Sequence, residues 1–150
     1  MKNSTNLINK NPERYAAIYA RVSSPKENNS INAQIALGNE KALEKNLLVY
    51  NSYTDRISGL STSPEERSGF KKLILDAKAG CFKTLIIYRL DRLVRNYEDW
   101  KQTERLLDSL GIKLLFSDSS QQLPIDSPQS EFLNNITVML AELEPWQNKL

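Results

Sequence analysis

Residues 83–90, KTLIIYRL, constrain this chain more than any other segment. A near-continuous apolar run of strand length has no polar face to offer water. It belongs in a sheet covered on both sides, which is the parallel kind, whose strands are joined by crossover helices. The remaining sequence supplies both parts. Residues 14–22, RYAAIYARV, read as a second buried strand that stops at Ser23-Ser24-Pro25. Residues 47–53 and 112–116 read as two more strands. Between them lie helical patterns. Ser30 is the expected N-cap of a helix over residues 31–45 with Ile31, Ile35, Gly38 and Ala42 on one face. A second helix is expected over residues 65–79, burying Phe70, Leu73, Ile74 and Ala77 and stopped by Gly80. A third runs over residues 99–110 and is closed by Gly111. Strand and helix alternate, so the expected fold is α/β: a mostly parallel sheet of four to five strands flanked by helices.

The ends depart from this alternation. Residues 1–13 are polar and read as a flexible leader, residues 14–126 as the α/β domain, and residues 127–150 as a separate helical piece. Ser127-Pro128 is a good helix start, and Phe132, Leu133, Ile136, Met139, Leu140 and Leu143 form a wide apolar stripe. Two readings stay open for it: one more covering helix, or a helix that also packs against a partner chain. Residues 55–66, DRISGLSTSPEE, are rich in turn formers and are expected to be a mobile loop.

Composition narrows the chemistry. There is no histidine and a single cysteine, Cys81. Ser-His-Asp and Cys-His nucleophile pairs are excluded, as are His-containing and Cys-only zinc sites. Cys81 cannot close an internal disulfide, and its simplest role is a small buried residue. No segment nears the ~20 apolar residues of a bilayer span, and the N-terminus lacks the apolar stretch of a secretion signal, so a cytoplasmic protein without a membrane partner is expected. The net charge of +2 does not demand a nucleic acid, so any anion site must concentrate its charge locally.

Such a concentration is present. YARVSS ends the first strand, at the sheet edge where α/β proteins place their ligands, and Arg21 and Ser23 share a strand face. RLDRLVRN follows the most apolar strand, with Arg92 and Arg95 at a spacing that shares a face on a helical turn and Asp91 beside them. ERSGF brings Arg67 just after the mobile loop. Singly, each has a plain explanation as a solvated arginine or a turn serine, and Ser24 equals Ser23 in isolation. Jointly they offer four guanidinium groups near one hydroxyl. Guanidinium pairs with phosphate oxygens bidentately and stays charged, which suits serine-dependent phosphoryl transfer. A nucleotide-binding α/β protein would instead need a glycine-rich loop after the first strand, and SSPKENNS has no glycine.

At these residues the chain resembles the catalytic domain of serine site-specific recombinases, the resolvase/invertase family, from Tyr15 to Leu143 and in the family's motif order. YARVSS corresponds to the nucleophile strand, with Ser23 as nucleophile and Arg21 as its partner. INAQ places Gln34 at an active-site glutamine, and TDRISG places Asp55 at the end of the second strand with Ser58 and Gly59 in the mobile loop. Arg67 falls on the loop-flanking arginine, and LDRLVRN places Asp91, Arg92 and Arg95 on the Asp-Arg-x-x-Arg signature. The resemblance implies cleavage and rejoining of double-stranded DNA through a 5′-phosphoserine link with a free 3′-hydroxyl, without metal or ATP. It also implies a homodimer, a tetramer in the synaptic complex, and a long C-terminal dimerisation helix, which favours the interface reading of residues 127–150. The spacing after Gly59 is similar to that of the large transposon-type members. Two departures stand out. AELEPWQNKL has Pro145 and Trp146 where the family has basic residues, so the last helix is expected to end near Leu143. The chain also stops where the family continues into a DNA-binding domain, so a catalytic fragment is expected. The competing reading is a recombinase-like dimerisation or DNA-associated module without activity; the intact serine and arginine set speaks against it.

Overall fold

The computed structural model describes residues 11–23, 28–57, 63–121, 136 and 139–140. Four strands form one parallel sheet: β1 (Tyr15–Val22), β2 (Leu48–Arg56), β3 (Thr84–Ile87) and β4 (Lys113–Phe116), in the order β2-β1-β3-β4. Three helices join them: α1 (Asn28–Glu44), α2 (Ser68–Lys78) and α3 (Tyr97–Ser109). The expected α/β architecture is therefore the one observed, with β1 and β3, the two most apolar runs, in the centre.

Strand alternation assigns the two faces. Ala16 and Ile18 of β1 point towards α1, where they meet Ala42, Ile86 and Leu115. Ala20 and Val22 continue that face against Ile31. Gly38 lets α1 come close: a Cβ there would lie 2.8 Å from Ile18 Cγ2. The odd-numbered residues Ala17 and Tyr19 face the larger core, with Phe70, Leu73 and Ala77 of α2 and Trp100 and Leu107 of α3. Each fully buried Val, Ile, Leu or Phe among these contributes roughly 1.5–3 kcal/mol. Because side chains alternate, Arg21 also points to the α2–α3 side, and Ser23 follows it at the strand's carboxyl end.

Several element boundaries differ from the sequence expectation, each for a local reason. Helix α1 begins at Asn28, so Ser30 lies within its first turn and its Oγ accepts from Gln34 Nε2 (3.2 Å) instead of capping. β2 continues to Arg56 because Thr54, Asp55 and Arg56 pair with Ala20, Arg21 and Val22, a pairing that their polar side chains conceal. The second helix is interrupted. A 3-10 turn at Pro64–Glu66, in which Ser63 N donates to Glu66 Oε1 (3.1 Å), precedes α2, and Arg67 between them is extended. β3 is shorter than expected, and α3 starts earlier, capped by Asn96, whose side chain accepts from Asp99 N (2.7 Å). Gly80 and Gly111, with φ of 78° and 69°, follow α2 and α3 as expected. Pro12–Arg14, partly within the expected leader, forms a 3-10 turn. The helix expected over residues 127–150 falls outside the described residues except for Ile136, Met139 and Leu140, which are helical and exposed. Residues 58–62 of the expected mobile loop also lie outside them.

Candidate active site

Of the site residues expected from the sequence, Arg21, Ser23, Asp55, Asp91, Arg92 and Arg95 lie at or follow the carboxyl ends of β1, β2 and β3, while Gln34 is in α1 and Arg67 immediately precedes α2. Ser23 directly follows β1 and is exposed. Arg21, beneath it, is 2% exposed and wholly engaged with backbone. Its Nε donates to Arg92 O (2.9 Å), its Nη2 to Asp91 O (2.7 Å) and its Nη1 to Ile57 O (3.0 Å). One guanidinium thus joins β1, the residue after β2 and the turn after β3.

That turn, a 3-10 turn at Leu90–Arg92, carries Asp91 and Arg92. Arg95 lies beyond it, in a bend before α3, so Arg92 and Arg95 do not belong to one helix. Arg92 Nη1 donates to Arg21 O (3.4 Å), and Arg92 Nε stands 3.6 Å from Asp91 Oδ1. Arg92 Nε and Arg95 Nε are buried and make no hydrogen bond among the described residues. Arg67 is the largest fully buried side chain in the described structure, and its Nη1 donates to Leu93 O (2.9 Å) and to the Tyr19 hydroxyl (3.4 Å).

Arg67, Arg92 and Arg95 lie close enough to Arg21 to repel its charge. Burial foremost, then the Arg67 guanidinium, and with it Arg92 and Arg95, push Arg21 down from its ordinary value to about 10, against an opposing contribution from Tyr19. Guanidinium groups gathered in this way can bind phosphate oxygens, whose geometry matches their planar donors.

Gln34 and Asp55 act on backbone. Gln34 Oε1 accepts from Arg21 N (3.2 Å) and its Nε2 donates to Arg21 O (3.1 Å), which fixes the strand end beside Ser23. Asp55 accepts from Gly69 N (2.8 Å), Phe70 N (3.0 Å) and the Tyr19 hydroxyl (2.8 Å), so one carboxylate holds the first turn of α2. Tyr19 is the residue that sequence reasoning missed: it lies within YARVSS, yet only the fold shows its hydroxyl between Asp55 and Arg67. Burial above all pushes its phenol well up, opposed by Arg67, so it remains the donor to Asp55. Among the described residues no group of three or more His, Cys, Asp and Glu could hold a metal ion, and no helix is long and apolar enough to cross a membrane.

Comparison with known proteins gives a consistent picture. The family described as "Resolvase, N terminal domain" matches residues 16–148. The C-terminal catalytic domain of ISC1926 TnpA, an IS607-like serine recombinase, is similar at 27% identity and a TM-score of 0.63, over 83% of this chain and 79% of that one. The N-terminal catalytic domain of TP901-1 integrase is similar at 26% identity and a TM-score of 0.65, over 89% of this chain and 98% of that one. A resolvase family site-specific recombinase from Streptococcus pneumoniae shares the fold at 19% identity, with a TM-score of 0.66 over 91% of this chain and 94% of that one. No curated protein matches the chain.

Proposed function

The chain belongs to the resolvase N-terminal domain family of serine recombinases, and from that premise we propose that it cleaves and rejoins double-stranded DNA through Ser23. The observation that carries this reading is the convergence of Arg21, Arg67 and Arg92 on the turn after β3, with Arg95 just beyond it, at the strand end that bears an exposed serine.

In the proposed reaction Ser23 Oγ attacks a backbone phosphorus and loses its proton. The bond from phosphorus to the 3′-oxygen breaks, and that oxygen leaves as a hydroxyl with a proton. One phosphodiester is exchanged for another, so the 5′-phosphoserine link keeps the bond energy and the 3′-hydroxyl reverses the step without ATP. Arg92 and Arg95, whose Nε groups make no hydrogen bond among the described residues, suit the non-bridging oxygens, where charge builds in the transition state. Asp91, at 3.6 Å from Arg92 Nε, orients that guanidinium. Arg21 and Arg67 add positive charge while holding the turn's carbonyls, and Gln34 and Asp55 are positioning residues for the strand end and for α2. A homodimer, paired into a tetramer at synapsis, would supply one serine per strand, with residues 127–150 as the dimer contact.

The test uses the protein as its gene encodes it, mixed with sheared genomic DNA of its source. Complexes that survive denaturant are digested with nuclease, and mass spectrometry locates the residual nucleotide. The expected site is Ser23, and S23A abolishes the adduct; an adduct that persists in S23A, or one located on Ser24, contradicts the assignment.

A further inference from the structure

We infer that Arg89 and Asp118, outside the arginine cluster, are positioning residues for the turn that carries Arg92; their effect on reaction rate rests on the function proposed above. The backbone of this turn is held at four successive residues. Arg21 binds the carbonyls of Asp91 and Arg92, Arg67 binds that of Leu93, and Gln121 Oε1 accepts from Leu90 N (3.2 Å). The first three holds come from the cluster itself. The fourth comes from the loop after β4, and Arg89 ties that loop down.

Asp118 is built to receive it. Its Oδ1 accepts from Ser120 N and Ser120 Oγ, both at 2.9 Å, which leaves Oδ2 for Arg89 Nη1. The same Nη1 donates to Ser120 Oγ (3.0 Å). Main-chain bonds from Ser117 N to Ile87 O (2.8 Å) and Asp118 N to Tyr88 O (3.1 Å) carry the β3–β4 pairing beyond the strands to this point. Arg89 is also the residue from which the turn starts, since its carbonyl accepts from Arg92 N (3.0 Å). An isolated surface ion pair does little. This one joins a side-chain network to the first carbonyl of the turn, so its loss loosens the backbone that aims Arg92.

The test compares R89M, D118N, their combination and R89K by amide hydrogen exchange and by the rate of adduct formation on sheared genomic DNA. In R89M and in D118N the amides of Leu90, Arg92 and Leu93 are expected to exchange about fivefold faster, the scale of one charge-assisted hydrogen bond at a half-exposed site. Amides of α1 stay unchanged, the adduct rate falls with half-saturating DNA unaltered, the double variant is no worse than either single one, and R89K recovers most of the loss. Unchanged exchange at the turn overturns the inference, as do fully additive losses in the double variant. Should the wild type form no adduct, the functional reading fails, while the exchange data still decide whether the pair holds the turn.

Discussion

Asp55 offers the sharpest quantitative prediction, because one carboxylate makes three hydrogen bonds that differ in what an amide could replace. Its Oδ1 takes Gly69 N, and its Oδ2 takes both Phe70 N and the Tyr19 hydroxyl. D55N keeps the shape. If its Oδ1 stays with Gly69, its Nδ2 faces the Phe70 N–H, donor against donor, and the charge at the start of α2 is gone. Tyr19 cannot simply reverse to compensate, because its oxygen already faces Arg67 Nη1. The Phe70 N–H and the Tyr19 hydroxyl, two buried donors left without an acceptor, and the lost helix-terminus interaction together cost about 3 kcal/mol. For a domain of this size that corresponds to a fall in Tm of about 5–10 °C. D55A strands all three donors and should cost about 4–6 kcal/mol, a large part of the stability of a typical domain. Thermal and urea unfolding followed by far-UV circular dichroism measure both. A D55N protein that melts within about 2 °C of wild type would refute the claim that this carboxylate anchors α2 and, through it, Arg67.

The same junction yields a steric prediction. A Cβ on Gly69 would sit 2.2 Å from Thr54 O, so G69A must push α2 off the end of β2, at a cost of about 3 kcal/mol or more; a variant of wild-type stability by urea titration contradicts this. Inorganic phosphate should raise Tm beyond chloride at matched ionic strength, by the equivalent of about 2.7 kcal/mol at a hundredfold excess over its dissociation constant. That gain should shrink in R92A and R95A, and equal gains in all three proteins would mean that the arginines do not form the anion site. Asp118, held down to about 2 chiefly by the Ser120 N–H and Arg89, should contribute stability that is present above its unfolded value of about 3.9 and lost as pH falls towards 2. The stability difference between wild type and D118N, by urea titration from pH 6 downwards, should therefore shrink in that window; a difference that stays constant through it contradicts the pairing.

The sheet was legible because its central strands are apolar on both faces: RYAAIYARV and KTLIIYRL can satisfy themselves only in the middle of a covered parallel sheet. The buried faces of α1 and α2 followed from their spacing, down to Gly38 against Ile18. The polar end of β2 was not legible, because Thr54, Asp55 and Arg56 are strand only through their pairing with β1. Nor was the break at Arg67, where a capped 3-10 turn competes with a continuous helix. For the site, sequence order named the residues but not their tasks. Arg21 and Arg67 read as phosphate ligands, yet both donate to the carbonyls of a turn 71 and 26 residues away in sequence, contacts that no local pattern encodes. Tyr19 and Arg89 were hidden for the same reason: one sits in the apolar β1, the other just after β3, and each acquires a partner only from a distant loop or strand.

The most direct test of the account is to identify the side chain that becomes bonded to DNA. Peptide mapping of the denaturant-stable complex should place a 5′-linked nucleotide on Ser23, with a free 3′-hydroxyl on the other DNA end and no complex from S23A. A nucleotide on any other residue, or a 3′-linked one, would contradict it.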